Sequence, residues 1–172
     1  MLDEEGDVKA IIGVGRDITA QKEAEEQLRS NQQETDNLFM AMSEGVALHE
    51  LVRDEQGRPV DYRLIKTNES YHRITGLSKE QVLGKLATEA YGQKKAPYID
   101  IYAKVARTGQ PIAFESYYAP LHIHLSISTY QPKEDHFATI FTDITAQKDA
   151  EKQLLMTKHA LDVAAKPIMW VD

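Results

Sequence analysis

Cysteine is absent from all 172 residues. That absence removes disulfides, thiolate catalysis, thiolate zinc sites and covalent cysteinyl-flavin chemistry. No apolar run approaches the ~20 residues a membrane-spanning helix requires. The opening, MLDEEGD, is acidic and lacks the apolar stretch of a secretory signal. Basic blocks are missing and the net charge is -7, which argues against a nucleic-acid face or an anchor on anionic lipid. A glycine-rich phosphate loop, a nucleophile elbow and an HExxH pair are also lacking, so the chain reads as non-enzymatic. The cytoplasm is the expected compartment. What remains suffices for one ordinary domain with extensions: 42% hydrophobic and 27% charged residues, with a mean hydropathy of -0.47.

The most informative feature is a phrase written twice. Asp-Ile-Thr-Ala-Gln-Lys occupies 17–22 and again 143–148, and Ala24, Glu25, Gln27 and Leu28 then match Ala150, Glu151, Gln153 and Leu154. A repeated boundary phrase is expected of a chain drawn from a tandem array. Upstream of each copy lies a short, partly β-branched run, AIIGVGR (10–16) and HFATIFT (136–142), preceded by a charged turn. Each run reads as a strand entered from a hairpin. Downstream of each copy the chain is polar and free of Gly and Pro, as a helix would be. Asp17, Thr19, Asp143 and Thr145 are therefore candidate helix caps at two strand-to-helix junctions.

Both following helices carry a sparse seam. Ala24, Leu28, Asn31, Thr35, Leu38 and Met42 step by 4, 3, 4, 3, 4, and Ala150, Leu154, Thr157, Leu161 and Ala164 repeat the pattern. This spacing suits a parallel coiled-coil dimer with weak, register-setting polar positions, and equally an amphipathic linker packed on its own domain.

Between the junctions, 44–54 and 60–68 read as strands around the turn EQGRP. Residues 68–76 and 78–84 read as short helices, with Asn68 and Ser78 as caps and Gly76 and Gly84 as stops. Pro97 opens a longer helix to Thr108, and 111–119, 122–130 and 136–142 read as three strands. The order β-β-α-α-α-β-β-β implies an α+β fold, an antiparallel sheet with helices on one side. Residues 161–172 echo 39–50, as though a further unit begins there. The expected organisation is a closing strand of a preceding unit (1–18), a linker helix (19–37), one complete unit (38–145), a second linker helix (146–160) and the start of a following unit (161–172).

The complete unit resembles a PAS domain with its PAC tail, the sensory box of bacterial signalling proteins. NESYHRITGLSKEQVLGK (68–85) is similar to the family's Asn-containing helix and Thr-Gly-hydrophobic-Ser-x-Glu stretch. FTDITAQK (141–148) is similar to its terminal strand and Asp-Ile-Thr junction. The resemblance implies a five-stranded antiparallel sheet, a pocket beneath the helical segment, and junction helices relaying the pocket's state to an output domain. A histidine kinase of a two-component system, or a cyclic-dinucleotide enzyme, is the usual output.

The cofactor is left unknown. Light-oxygen-voltage flavin chemistry and c-type haem both need a cysteine. The resemblance implies that a b-type haem would take its axial histidine from the helix 97–108, which has none; His72 lies earlier. His122 and His124 share a strand face and His136 opens the next strand, but no carboxylate or cysteine completes a ligand motif, so no metal is assigned. A response to pH through these imidazoles is a further option. Candidate pocket residues are Asn68, Tyr71, Tyr102, Val105, Phe114, Tyr117, His124 and Ile127, the tyrosines because buried phenols offer polar tips to a ligand. Any one of them serves equally as core packing. Alternation splits the strand 122–130 into two faces without saying which meets the helices. The primary expectation is a small-molecule or partner sensor acting as a homodimer. A ligand-free dimerising spacer is the alternative, and a non-covalent flavin redox sensor is a third.

Overall fold

The computed structural model describes residues 19–164. The proposed strand 10–16, Asp17 and the segment 165–172 lie outside the described residues. The chain divides into two units, residues 1–38 and 39–172. Helix α1 (Thr19–Ala41) occupies the described part of the first, runs into the second, and buries no residue.

The second unit opens with β1 (Gly45–Arg53) and β2 (Pro59–Thr67), joined by a turn in which Gly57 takes a positive φ. Four helices follow: α2 (Glu69–Thr75), α3 (Lys79–Val82), α4 (Ala87–Ala90) and α5 (Ile99–Thr108). The chain then returns through β3 (Ile112–Tyr118), a single 3-10 turn, β4 (Ile123–Tyr130) and β5 (His136–Asp143), which leads into α6 (Thr145–Ala164). The five strands form one antiparallel sheet in the order β2-β1-β5-β4-β3. This is the expected fold, with one added element. Helix α4 is four residues long, too short for its spacing to register in the sequence.

Period-two alternation decides what each strand buries. Ala47, His49 and Leu51 of β1 lie opposite Thr139, Phe137 and other inward positions of β5 and β2. Leu64, Val82, Val105 and Phe137 are completely buried. Each such side chain contributes about 1.5–3 kcal/mol when removed from water. Helix α5 buries Tyr102, Val105 and Ala106 and ends at Gly109, whose φ of 69° is the left-handed stop glycine supplies cheaply. It begins later than Pro97 suggests, at Ile99, because Tyr98 takes a φ of 56°. A left-handed tyrosine is strained backbone, and it faces the interior described next.

Gly45 has a different reason. A Cβ there would meet the Phe141 ring at 2.5 Å, because that ring packs directly over the bare Cα of the glycine.

Candidate functional site

Asn68 stands at the head of α2, wholly buried. Its Oδ1 accepts from the amides of Val46 and Tyr71, both at 2.9 Å, and its Nδ2 donates to the carbonyls of Glu44 (2.9 Å) and Phe39 (3.2 Å). A buried amide with both ends fully bonded is a structural pin. It locks the first strand to the first helix and does not line the interior space. His72 is likewise consumed locally, its two ring nitrogens pairing with Thr67 Oγ1 at 2.9 Å and the Leu77 carbonyl at 2.8 Å.

The interior space is a cavity of about 150 Å³ between the sheet and the helical segment. Of the sequence candidates, Tyr71, Tyr102 and Ile127 line it. The others do not. Val105 is fully buried packing of α5, and Phe114 packs against the Tyr98 ring at 5.3 Å. Tyr117 and His124 lie on the opposite sheet face, ring against ring at 4.9 Å, with Tyr117 half exposed. The undecided strand is thereby settled: Ile123, Leu125 and Ile127 of β4 face the cavity, and His124, Ser126 and Ser128 face away.

His49 is the wall residue that sequence reading missed. It is 2% exposed, and desolvation by burial lowers its pKa from 6.5 to about 3, so the ring is neutral. Its Nε2 pairs with Thr139 Oγ1 at 3.0 Å, while its Nδ1 is buried with no partner. Around it the Phe137 ring stacks at 4.6 Å and the Tyr62 ring meets it edge-on at 5.1 Å. The available signal was its position between Ala47 and Leu51 on one face of a strand. A histidine flanked that way must be buried.

The tyrosine hydroxyls on the wall are mostly engaged. Tyr71 and Tyr91 share a 2.7 Å bond, Tyr98 donates to Ser116 Oγ at 3.1 Å, and Tyr118 accepts from Gln93 at 3.0 Å. Burial raises the pKa of Tyr62, Tyr71, Tyr91 and Tyr102, keeping each phenol neutral. Among the described residues, no Lys, Arg, Asp or Glu lines the cavity. Nor, among those residues, could any group of three or more His, Cys, Asp or Glu hold a metal ion.

At the junction, the Asp143 carboxylate accepts from the Thr145 amide (2.9 Å) and hydroxyl (2.5 Å). Thr145 Oγ1 also accepts from the amide of His124 at 2.9 Å, and the Ile144 amide donates to the His124 carbonyl at 2.8 Å. The cap position itself is Ile144, whose carbonyl takes the first helical bond from the Lys148 amide. Asp143 and Thr145 therefore brace the corner from either side of the cap rather than being the cap. Lys148 adds an ion pair to Glu115 of β3 at 2.6 Å. Thr19 opens α1, and Asp17 lies outside the described residues.

A family model described as the PAS fold matches residues 60–149, more than half of the chain. No curated protein sequence matches it. Among solved structures, the chain is similar to an RNA-binding light-oxygen-voltage receptor at 14% identity and a TM-score of 0.53, covering 88% of this chain and 41% of that one. It thus spans less than half of that receptor's length, and the likeness is one of fold. It is also similar to the PAS domain of Bordetella pertussis BvgS, at 19% identity and a TM-score of 0.45, over 79% of this chain and 98% of that one.

Proposed function

The chain belongs to the PAS-fold family, a family of sensory and signalling modules, and from that premise we propose that the cavity binds a small molecule and that β5 carries the bound state into α6. The observation that carries this reading is continuity. Thr139 and Phe141 line the cavity and sit on the strand that ends at Asp143, the first residue of the braced corner. The same is true of β4, where His124, whose amide and carbonyl hold Thr145 and Ile144, lies between the wall residues Ile123 and Leu125. A ligand that spreads the two strands acts directly on the backbone and side-chain bonds at the helix start. Only a few kcal/mol of differential binding is needed to shift a two-state output.

The outgoing helix supports a self-association step. Leu154 is 73% exposed and Leu161 66%, so the α6 seam is free for a second copy. In the parent protein the downstream element is a cytoplasmic output domain, such as a histidine kinase or a cyclic-dinucleotide enzyme.

Native mass spectrometry of the purified chain, combined with amide exchange, tests the reading. The expected result is a releasable bound mass and a change in exchange over 143–148 when it is removed. A cavity that takes up nothing, with exchange at the corner insensitive to added compounds, leaves a dimerising spacer as the function.

A further inference from the structure

We propose that the cavity selects an uncharged, mainly apolar molecule carrying a carbonyl group, whose oxygen accepts hydrogen bonds from the hydroxyls of Tyr62 and Tyr102. This rests on the ligand-binding reading above and names the chemical class it requires.

The two donors are what the fold leaves over. Of the six tyrosines lining the cavity, four bond elsewhere through their hydroxyls. The lining threonines are engaged too, Thr139 with His49 and Thr75 with the Tyr71 carbonyl at 2.8 Å. Among the described residues, the hydroxyls of Tyr62 and Tyr102 have no partner, yet neither is sealed into the packing. The sealed, unpartnered side-chain atoms are His49 Nδ1 and Thr129 Oγ1. Each free hydroxyl therefore keeps some surface. Both side chains are buried from bulk water, so that surface belongs to the cavity they line.

Ring packing holds the donors in place. Tyr62 comes from β2 and Tyr102 from α5, with ring centroids 5.6 Å apart, edge to face. Phe137 of β5 packs on both, at 5.2 and 4.6 Å. A guest bonded to both hydroxyls ties the helix to the sheet.

Charge is decided by what the wall lacks. No Lys, Arg, Asp or Glu among the described residues lines the space, and burial keeps the His49 ring neutral. An ionised guest would leave water without a counter-charge. Burial, and then the closeness of other phenols, holds Tyr62 and Tyr102 well above the ordinary 10, so both keep a proton to donate. A carbonyl oxygen offers two lone pairs and brings no proton of its own, so two phenols satisfy it completely. The lining sets an orientation rather than a size. Tyr62 and Tyr102 mark its buried end and the exposed Leu121 its open side, so the carbonyl enters first and an apolar tail points outward.

Titration calorimetry on the full chain with acetophenone, ethylbenzene and benzoate, in wild type, Tyr62→Phe and Tyr102→Phe, tests this. Each variant removes one oxygen that bonds to nothing in the fold, so stability near wild type is expected. Acetophenone and ethylbenzene have nearly the same shape and differ in the carbonyl. Both are expected to bind wild type, with benzoate at least about a hundredfold weaker than acetophenone. The ratio of acetophenone to ethylbenzene affinity is expected to fall about tenfold in each variant. An unchanged ratio in either variant, or benzoate binding as tightly as acetophenone, would overturn the assigned class while leaving a ligand-binding cavity. Failure of all three probes overturns it as well; if xenon also fails to enter, the ligand-binding reading falls with it. Should a variant not fold, the infrared carbonyl stretch of acetophenone bound to wild type replaces it: a lower frequency than in alkane is expected, and the alkane frequency refutes the hydrogen bonds.

Discussion

Asn68 and His49 are both buried polar side chains on the same domain, at 0% and 2% exposure, yet they live under opposite rules. Asn68 spends all four of its bonds on backbone partners from neighbouring segments. His49 spends one nitrogen on Thr139 and leaves the other buried without a partner. A fully bonded buried amide holds a fold together. A half-bonded buried ring carries a desolvation cost that the fold leaves uncompensated. Burial alone, or polarity alone, does not separate the two roles; the count of satisfied atoms does.

The contrast breaks most visibly at Asn68. Asn68→Leu leaves two amides and two carbonyls without their partner, so a loss of roughly 4 kcal/mol is expected in urea unfolding, with no specific effect on which ligand binds. A variant of near wild-type stability would show that the pin is dispensable.

At His49 the effect is set by pH. Its folded pKa of about 3 lies below the ordinary 6.5. Between those values the unfolded chain binds the proton and the folded chain does not. Its contribution is therefore intact above pH 6.5 and is lost as pH falls towards 3. Wild type is expected to lose on the order of 3 kcal/mol more than His49→Leu between pH ~7 and pH ~4. Parallel stability profiles for the two proteins would mean that the ring reaches water.

Gly45 sharpens the comparison from the packing side. Gly45→Ala places a methyl group against Phe141, which also lines the cavity. A loss of about 2 kcal/mol is expected in thermal unfolding, together with weaker binding of any cavity ligand. Loss of stability with unchanged binding would separate the strand contact from the site.

The smallest expected change in stability is at the corner. Asp143→Ala and Thr145→Ala each remove bonds at an exposed helix start, at about 1 kcal/mol. Stimulus response in the parent protein is nevertheless expected to be lost, and a response identical to wild type in both variants would detach the corner from the relay.

The strand and helix punctuation, the antiparallel α+β order, the family and the Asp-Ile-Thr phrase were all legible in the amino-acid sequence. The family came from the resemblance of its motifs and the phrase from its repetition; the punctuation and order rest on local physics: two-residue alternation, capping side chains, stop glycines at positions such as Gly76 and Gly109. Alternation also divides β4 into two faces, but it carries no sign, so only packing decided that Leu125 and Ile127 look inward while His124 looks out. Helix α4 escaped for want of length. The cavity and the unpartnered nitrogen of buried His49 belong to tertiary structure alone, because an empty volume is what several strands and helices jointly fail to fill, and no single segment encodes a remainder.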